Sequence, residues 1–83
     1  MDQSSLTGRQ IAAARALVGL SQVEVAARAN ISVPTLKRME ASEGPASGMA
    51  NNVAAVMRAL EEAGVEFLNH GQPGVRLKAG ERS

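Results

Sequence analysis

The fold of this chain is decided by two stretches, LSQVEVA at residues 20–26 and ISVPTLKRME at residues 31–40. In the first, Ser21 and Glu24 form a capping box: the serine oxygen accepts from the glutamate N–H, and the glutamate side chain accepts from the serine N–H. In the second, Ser32 is a helix-capping residue and Pro34 follows in the first turn, where the missing N–H of proline costs nothing. Each stretch therefore predicts the start of a short helix.

The residues between these two helices predict a sharp turn. They are Ala29 and Asn30, and asparagine is, after glycine, the residue that most readily adopts the left-handed conformation such a turn requires. Two short helices joined in this way form a helix-turn-helix, whose second helix is built to lie in the major groove of DNA. The motif predicts a recognition helix over about residues 33–41.

The size and composition of the chain bound the remaining possibilities. A chain of 83 residues is one small domain that buries only about 60 to 65 per cent of its unfolded surface, so we expect a homodimer to add stability. The sequence has no cysteine, opens on the polar stretch MDQSS and contains no apolar run long enough for a membrane span. These features predict a soluble, cytoplasmic protein without disulfides or membrane association.

No part of the sequence has the spacing of a catalytic or metal site. We find no nucleophile with its base and acid and no glycine-rich phosphate loop, and a zinc site is not expected at the single histidine, His70. The chain is therefore not expected to be an enzyme, and we expect no catalytic residues, no metal and no cofactor.

The net charge of +1 conceals an asymmetry between the two halves of the chain. Residues 1–39 carry five basic and two acidic side chains, a net +3, whereas residues 40–83 carry four basic and six acidic ones, a net −2. A basic half that contains the helix-turn-helix favours contact with phosphates, and the acidic half suggests a surface for a different partner. Scatter of a few charges over a solvated surface is the alternative explanation.

Periodicity and capping residues extend the helical domain over residues 7–64. Thr7 and Gln10 form another capping box that opens a first helix over residues 8–18, and further helices are predicted over residues 22–28, 33–41 and 49–63. Residues 42–48 are predicted to form a loop. The inward-facing side chains predicted for the helices are Ile11, Ala14, Leu17, Val18, Val25, Ala26, Leu36, Met39, Val53, Val56, Met57 and Leu60.

The last third of the chain predicts a β-hairpin over residues 65–78, with strands at 65–68 and 74–78. An isolated hairpin is marginal in water, so it needs either the helical core or the hairpin of a second subunit. Phe67, the only aromatic residue, is the expected anchor. We predict a dimer arm, with contact through helix 4 as the alternative, and flexible tails at residues 1–6 and 79–83. The candidate dimer contacts are Val65, Phe67, Leu68, Val75 and Leu77.

A family resemblance is carried by Ile11, Arg15, Leu20-Ser21-Gln22, Glu24, Val25-Ala26, Ile31-Ser32, Thr35-Leu36 and Met39-Glu40. Over these residues the chain resembles the Cro/C1-type, or Xre-type, helix-turn-helix family of bacterial and phage transcriptional regulators. The expected fold is mainly α, a four-helix lambda-repressor-like domain followed by the C-terminal β-hairpin. The chain departs from the family at Asn30, where glycine is usual, at the late glycine Gly44, and in one longer fourth helix.

The resemblance implies a DNA-binding role for the start of helix 2 and for one face of helix 3. Gln22 would approach the DNA backbone, and Lys37 and Arg38 would donate to guanine. Thr35 would either face the groove or pack at its edge. The remaining residues implied on the groove face are Ser32, Val33 and Pro34.

The resemblance also implies a structural ion pair between Arg15 and Glu40, which would join helix 1 to the end of helix 3. The function predicted from all these features is a sequence-specific regulator that binds double-stranded DNA as a homodimer on an inverted-repeat operator. An antitoxin or antiactivator-type interaction protein, which uses the same fold to bind another protein, is the alternative.

Overall fold

The computed structural model describes residues 6–42, 50–68 and 74–78. Within these ranges the chain forms four helices and one antiparallel hairpin: α1 (Gly8–Val18), α2 (Gln22–Ala29), α3 (Val33–Glu40), α4 (Ala50–Glu62), β1 (Val65–Leu68) and β2 (Gly74–Leu77). The predicted mainly helical fold with a C-terminal hairpin is confirmed, and each predicted end that falls on described residues lies within one residue of the observed one. The predictions for residues 1–5, 43–49, 69–73 and 79–83 lie outside the described residues, among them His70 and the predicted start of the fourth helix at Met49.

Capping residues determine where the first three helices begin and where the first two end. Thr7 caps α1 and Ser21 caps α2, each as a complete capping box, and the hydroxyl of Ser32 caps α3. Gly19 ends α1 and Asn30 ends α2, both in the left-handed conformation, with φ of 71° and 60°. The capping predictions made from the sequence therefore agree with the structure.

The core contains most of the predicted inward-facing side chains, among them Val25, Ala26, Leu36 and Met39. Val18 and Met57 are only partly buried against it. Leu17 differs from the prediction, since it is 44% exposed. It lies two turns beyond Gln10 on the same face of α1, where the described elements leave it largely open to solvent.

The amino-terminal segment contributes more to the core than the sequence suggests. Leu6 was expected in a flexible tail, but its side chain is only 2% exposed and belongs to the hydrophobic core. A lone leucine before a helix has no periodicity, so its burial depends on tertiary packing. Just after it, the backbone of Gly8 packs so closely on the end of α3 that a Cβ would collide with the carbonyl oxygen of Met39 and lie 2.7 Å from that of Ser42.

The hairpin packs on α1 and α4. Its register pairs Val65 with Leu77 and Phe67 with Val75, so these four side chains share one face. Val65 is fully buried and Phe67 is 8% exposed, which makes Phe67 an anchor to the helical core of its own chain.

A buried glutamine fixes the other end of the hairpin. The Nε2 of Gln10 donates to the carbonyl oxygens of Leu68 (3.2 Å) and Gly74 (3.0 Å), the last residue of β1 and the first of β2. Its Oε1 meanwhile accepts from the N–H of Thr7 at 2.9 Å. One side chain thus completes the cap of α1 and holds both strands against that helix.

Candidate nucleic-acid interface

The orientation of α3 follows from the residues that it buries. Leu36 and Met39, three residues apart, are both fully enclosed in the core. Pro34, Lys37 and Arg38 lie on the opposite side of the helix and are exposed, since residues three and four apart share a face. We call these three residues the outer face of α3.

The amino end of α3 carries two hydroxyl groups in mutual contact. Ser32 is exposed, and its Oγ accepts from the N–H of Thr35 at 3.2 Å and lies 2.8 Å from the Thr35 hydroxyl. Because the serine hydroxyl is committed to the cap, the threonine hydroxyl is held beside it at the edge of the outer face. Thr35 itself is half-buried.

Val33 occupies a different environment from the other residues predicted on the groove face. It is half-buried and packs against the hydrophobic core, whereas Ser32 and Pro34 are exposed. Val33 therefore lies at the boundary between the core and the outer face of α3.

Arg15 and Glu40 meet in the structure as a two-pronged ion pair. The arginine Nε donates to Oε2 of Glu40 at 2.8 Å, and its Nη2 donates to Oε1 at 3.0 Å. The Nη1 of Arg15 donates to the carbonyl oxygen of Leu20 at 3.2 Å. The hydrogen bond to Glu40 raises the pKa of Arg15 above its usual range, and burial opposes this shift. The pair therefore ties α1, the α1–α2 turn and the end of α3 together.

Gln22, the first residue of α2, joins this network. Its Nε2 donates to Oε1 of Glu40 at 3.0 Å, so the glutamate accepts from both α1 and α2. Sequence reasoning missed this contact, because the two residues lie 18 positions apart on different helices. A polar residue opening α2 and an acidic residue closing α3 were the only available signals.

The five candidate dimer residues separate into two groups. Val65 and Phe67 are buried within their own chain. Leu68 and Val75 are half-buried, and Leu77 is 46% exposed. Leu68 lies on the opposite face of the hairpin from the other four, where Glu66 accepts from Arg76 at 3.0 Å in an exposed ion pair.

Within residues 6–42, 50–68 and 74–78, no three side chains of His, Cys, Asp or Glu are grouped so that they could hold a metal ion. None of the helices in this part of the chain is long and apolar enough to cross a membrane.

Comparison with known proteins identifies the family. A helix-turn-helix family profile matches residues 11–61, more than half of the chain. The match includes all of α2 and α3 and most of α1 and α4, and it ends before the hairpin. No curated protein matches the sequence significantly. On the strength of the profile match and the capped α2–α3 pair, the chain belongs to the Cro/C1-type helix-turn-helix family of DNA-binding transcriptional regulators.

Proposed function

We propose that this protein binds a specific site in double-stranded DNA and regulates transcription there as a homodimer. The observation that carries the proposal is the outer face of α3, where two basic side chains stand exposed on a helix whose other side is locked into the core. A helix held in this way can enter a major groove without rearrangement, since its depth and rotation are set by Leu36 and Met39.

We assign base recognition to Lys37 and Arg38. Both are exposed cations, and Arg38 can donate two parallel hydrogen bonds to O6 and N7 of guanine. Pro34 offers an apolar contact to a thymine methyl group. Ser32 and Thr35 can donate to a base or a phosphate at the amino end of the helix. Val33 contributes at most its exposed edge, because its other side packs on the core.

We assign a phosphate contact to Gln22. It lies at the amino end of α2, where a side-chain amide and the helix terminus both favour an anion. A phosphate contact carries no sequence information, so its loss should weaken binding to every duplex alike.

The two assignments are tested by comparing an operator duplex with an unrelated duplex. The operator is obtained by selection from a random pool, and salt-dependent mobility shifts give the Kd for each DNA. Arg38→Ala should cost about 1 to 3 kcal/mol on the operator and relax preference at one position. Gln22→Ala should weaken both duplexes equally. Equal losses for Arg38→Ala would make Arg38 a phosphate contact.

We further propose that the homodimer forms through the hairpin, with Leu77 at its centre and Val75 beside it on the same face. Leu68 lies on the other face, with Glu66, and is not part of this contact. The exposure of Leu77 supports this choice, whereas Val65 and Phe67 act through their own core. A two-fold axis near the hairpin would repeat α3 about one DNA turn away, roughly 34 Å, on an inverted-repeat operator.

The dimer contact is tested with Leu77→Lys, which places a charge on the proposed interface and leaves the buried side chains intact. Sedimentation should show a monomer, and affinity for the full operator should fall to that for a half-site. A variant that remains dimeric would show that the dimer contact lies elsewhere, with α4 the alternative.

A wild-type chain that binds no DNA and co-purifies with another protein would instead support the antitoxin or antiactivator function. The proposed DNA-binding function places the protein in the cytoplasm.

A further inference from the structure

We propose that Glu40 is a positioning residue for DNA binding, which holds the amide of Gln22 in place for a phosphate while Arg15 balances the glutamate charge. This inference rests on the proposed function and concerns a residue that itself makes no DNA contact. Glu40 is poorly placed to touch DNA, because its side chain is only 8% exposed.

The hydrogen bonds around Glu40 define what it can hold. Its Oε2 accepts from Arg15 Nε at 2.8 Å, and its Oε1 accepts from Arg15 Nη2 and Gln22 Nε2, each at 3.0 Å. The amide nitrogen of glutamine has two hydrogens. One is donated to Glu40. Because Gln22 is only partly buried, the second is available to an acceptor outside the protein.

The bond to a carboxylate has two effects on this amide. It removes the rotational freedom of a long side chain before DNA arrives, so less entropy is lost on binding. It also polarises the amide, since hydrogen bonds to charged groups are stronger and reinforce the next bond in a chain. Both effects improve Gln22 as a donor to a phosphate oxygen.

Arg15 makes this arrangement compatible with nearby phosphates. An unpaired carboxylate close to the DNA backbone would repel it, but the guanidinium is bound to Glu40 at two points. Arg15 also donates to the carbonyl oxygen of Leu20, just before α2 begins. These hydrogen bonds thus fix the amino end of α2. The positive charge of Arg15 also neutralises the negative charge of Glu40, the residue that holds Gln22.

The test uses the full chain and sonicated duplex DNA of mixed sequence, because a phosphate contact acts on any sequence. Gln22→Ala and Glu40→Gln should each weaken binding by about tenfold, as expected for a hydrogen bond to a charged group. The double variant should bind no more weakly than either single variant, because both changes remove the same contact. Glu62→Gln, on the exposed end of α4, is the control that makes the same change in net charge.

A second variant covers the case in which Glu40→Gln fails to fold. Gln22→Asn keeps an amide but shortens it by one methylene and leaves the Arg15–Glu40 pair intact, so it should lose affinity like Gln22→Ala. Normal binding by Gln22→Asn, losses that multiply in the double variant, or normal or tighter binding by folded Glu40→Gln would each overturn the role of Glu40. A wild-type chain that binds no DNA would overturn the proposed function as well, and the wild-type titration shows this separately.

Discussion

The segment before residue 43 and the segment after residue 49 are held in place by different kinds of interaction. In residues 6–42, every helix start is capped by a side chain within three residues of the group it satisfies. The hairpin, in contrast, depends on partners far along the chain, such as Gln10, whose bonds to it span 58 and 64 residues. We call the first segment the head. Local chemistry thus determines where the head helices begin, whereas tertiary contacts determine where the hairpin lies.

The largest effect is expected from the Arg15–Glu40 ion pair, which joins two residues of the head that lie 25 positions apart. Removing one member of a buried pair costs about 3 to 5 kcal/mol, and we expect the lower end because the Arg15 side chain is 25% exposed. Arg15→Ala and Glu40→Ala should each lower the free energy of unfolding in urea. The double variant should lose less than the sum of the two. Additive losses would show that the contact between Arg15 and Glu40 does not stabilise the head.

The packing of Gly8 on α3 is a second tertiary contact on which the head depends. Alanine normally stabilises a helix relative to glycine by about 1 kcal/mol, so a purely local view of the head predicts that Gly8→Ala is favourable. The close approach of α3 reverses the sign, because the new Cβ would collide with backbone carbonyl groups. We expect a loss of about 1 to 3 kcal/mol in urea unfolding. Ala13→Gly, at an exposed position of α1, is the control for the ordinary effect; a stabilised Gly8→Ala would contradict the packing.

Gln10→Ala tests how far the hairpin depends on the head. This change removes the donor to Leu68 and Gly74, and unsatisfied buried groups cost about 1 to 3 kcal/mol, here reduced where water reaches the freed carbonyls. Hydrogen exchange should accelerate at the amides of β1 and β2 more than at those of α2. Ser21→Ala is the matched local change, costing about 1 kcal/mol and acting on α2. Equal acceleration in both regions after Gln10→Ala would contradict a specific hold on the hairpin.

The smallest effects concern one carboxylate in each region. The backbone N–H of Ser21 lowers the pKa of Glu24, and the hydrogen bond from Arg76 lowers the pKa of Glu66. Because both pKa values are lowered on folding, each group stabilises the protein above its ordinary value of 4.5, and this contribution disappears as the pH falls through the lowered pKa.

Glu24→Gln and Glu66→Gln should therefore each make unfolding less sensitive to acid below about pH 4.5, as followed by circular dichroism. Added salt should reduce the contribution of Glu66, an exposed ion pair, more than that of Glu24, which is bonded to the backbone. An acid response unchanged in both variants would contradict the lowered pKa values.

The difference between local and tertiary contacts also explains which features of the fold the sequence could predict. The starts of α1, α2 and α3 were predictable because Thr7, Ser21 and Ser32 act on groups three residues away. The burial of Leu36 and Met39 was predictable from their spacing, and the family resemblance implied the outer face of α3. The burial of Leu6, the exposure of Leu17 and the bond from Gln22 to Glu40 were not predictable, because each depends on which element packs beside it.

The span of the Gln10 contacts also bears on the order in which the protein assembles. The Arg15–Glu40 pair closes only 25 residues of chain, whereas Gln10 must find partners 58 and 64 residues away. Loops that are longer cost more entropy to close, and rates of folding fall as contacts become less local. We expect the head to form the folding nucleus and the hairpin to dock after the rate-limiting step. Substitutions at Leu36 should therefore slow refolding, whereas substitutions at Gln10 should mainly speed unfolding.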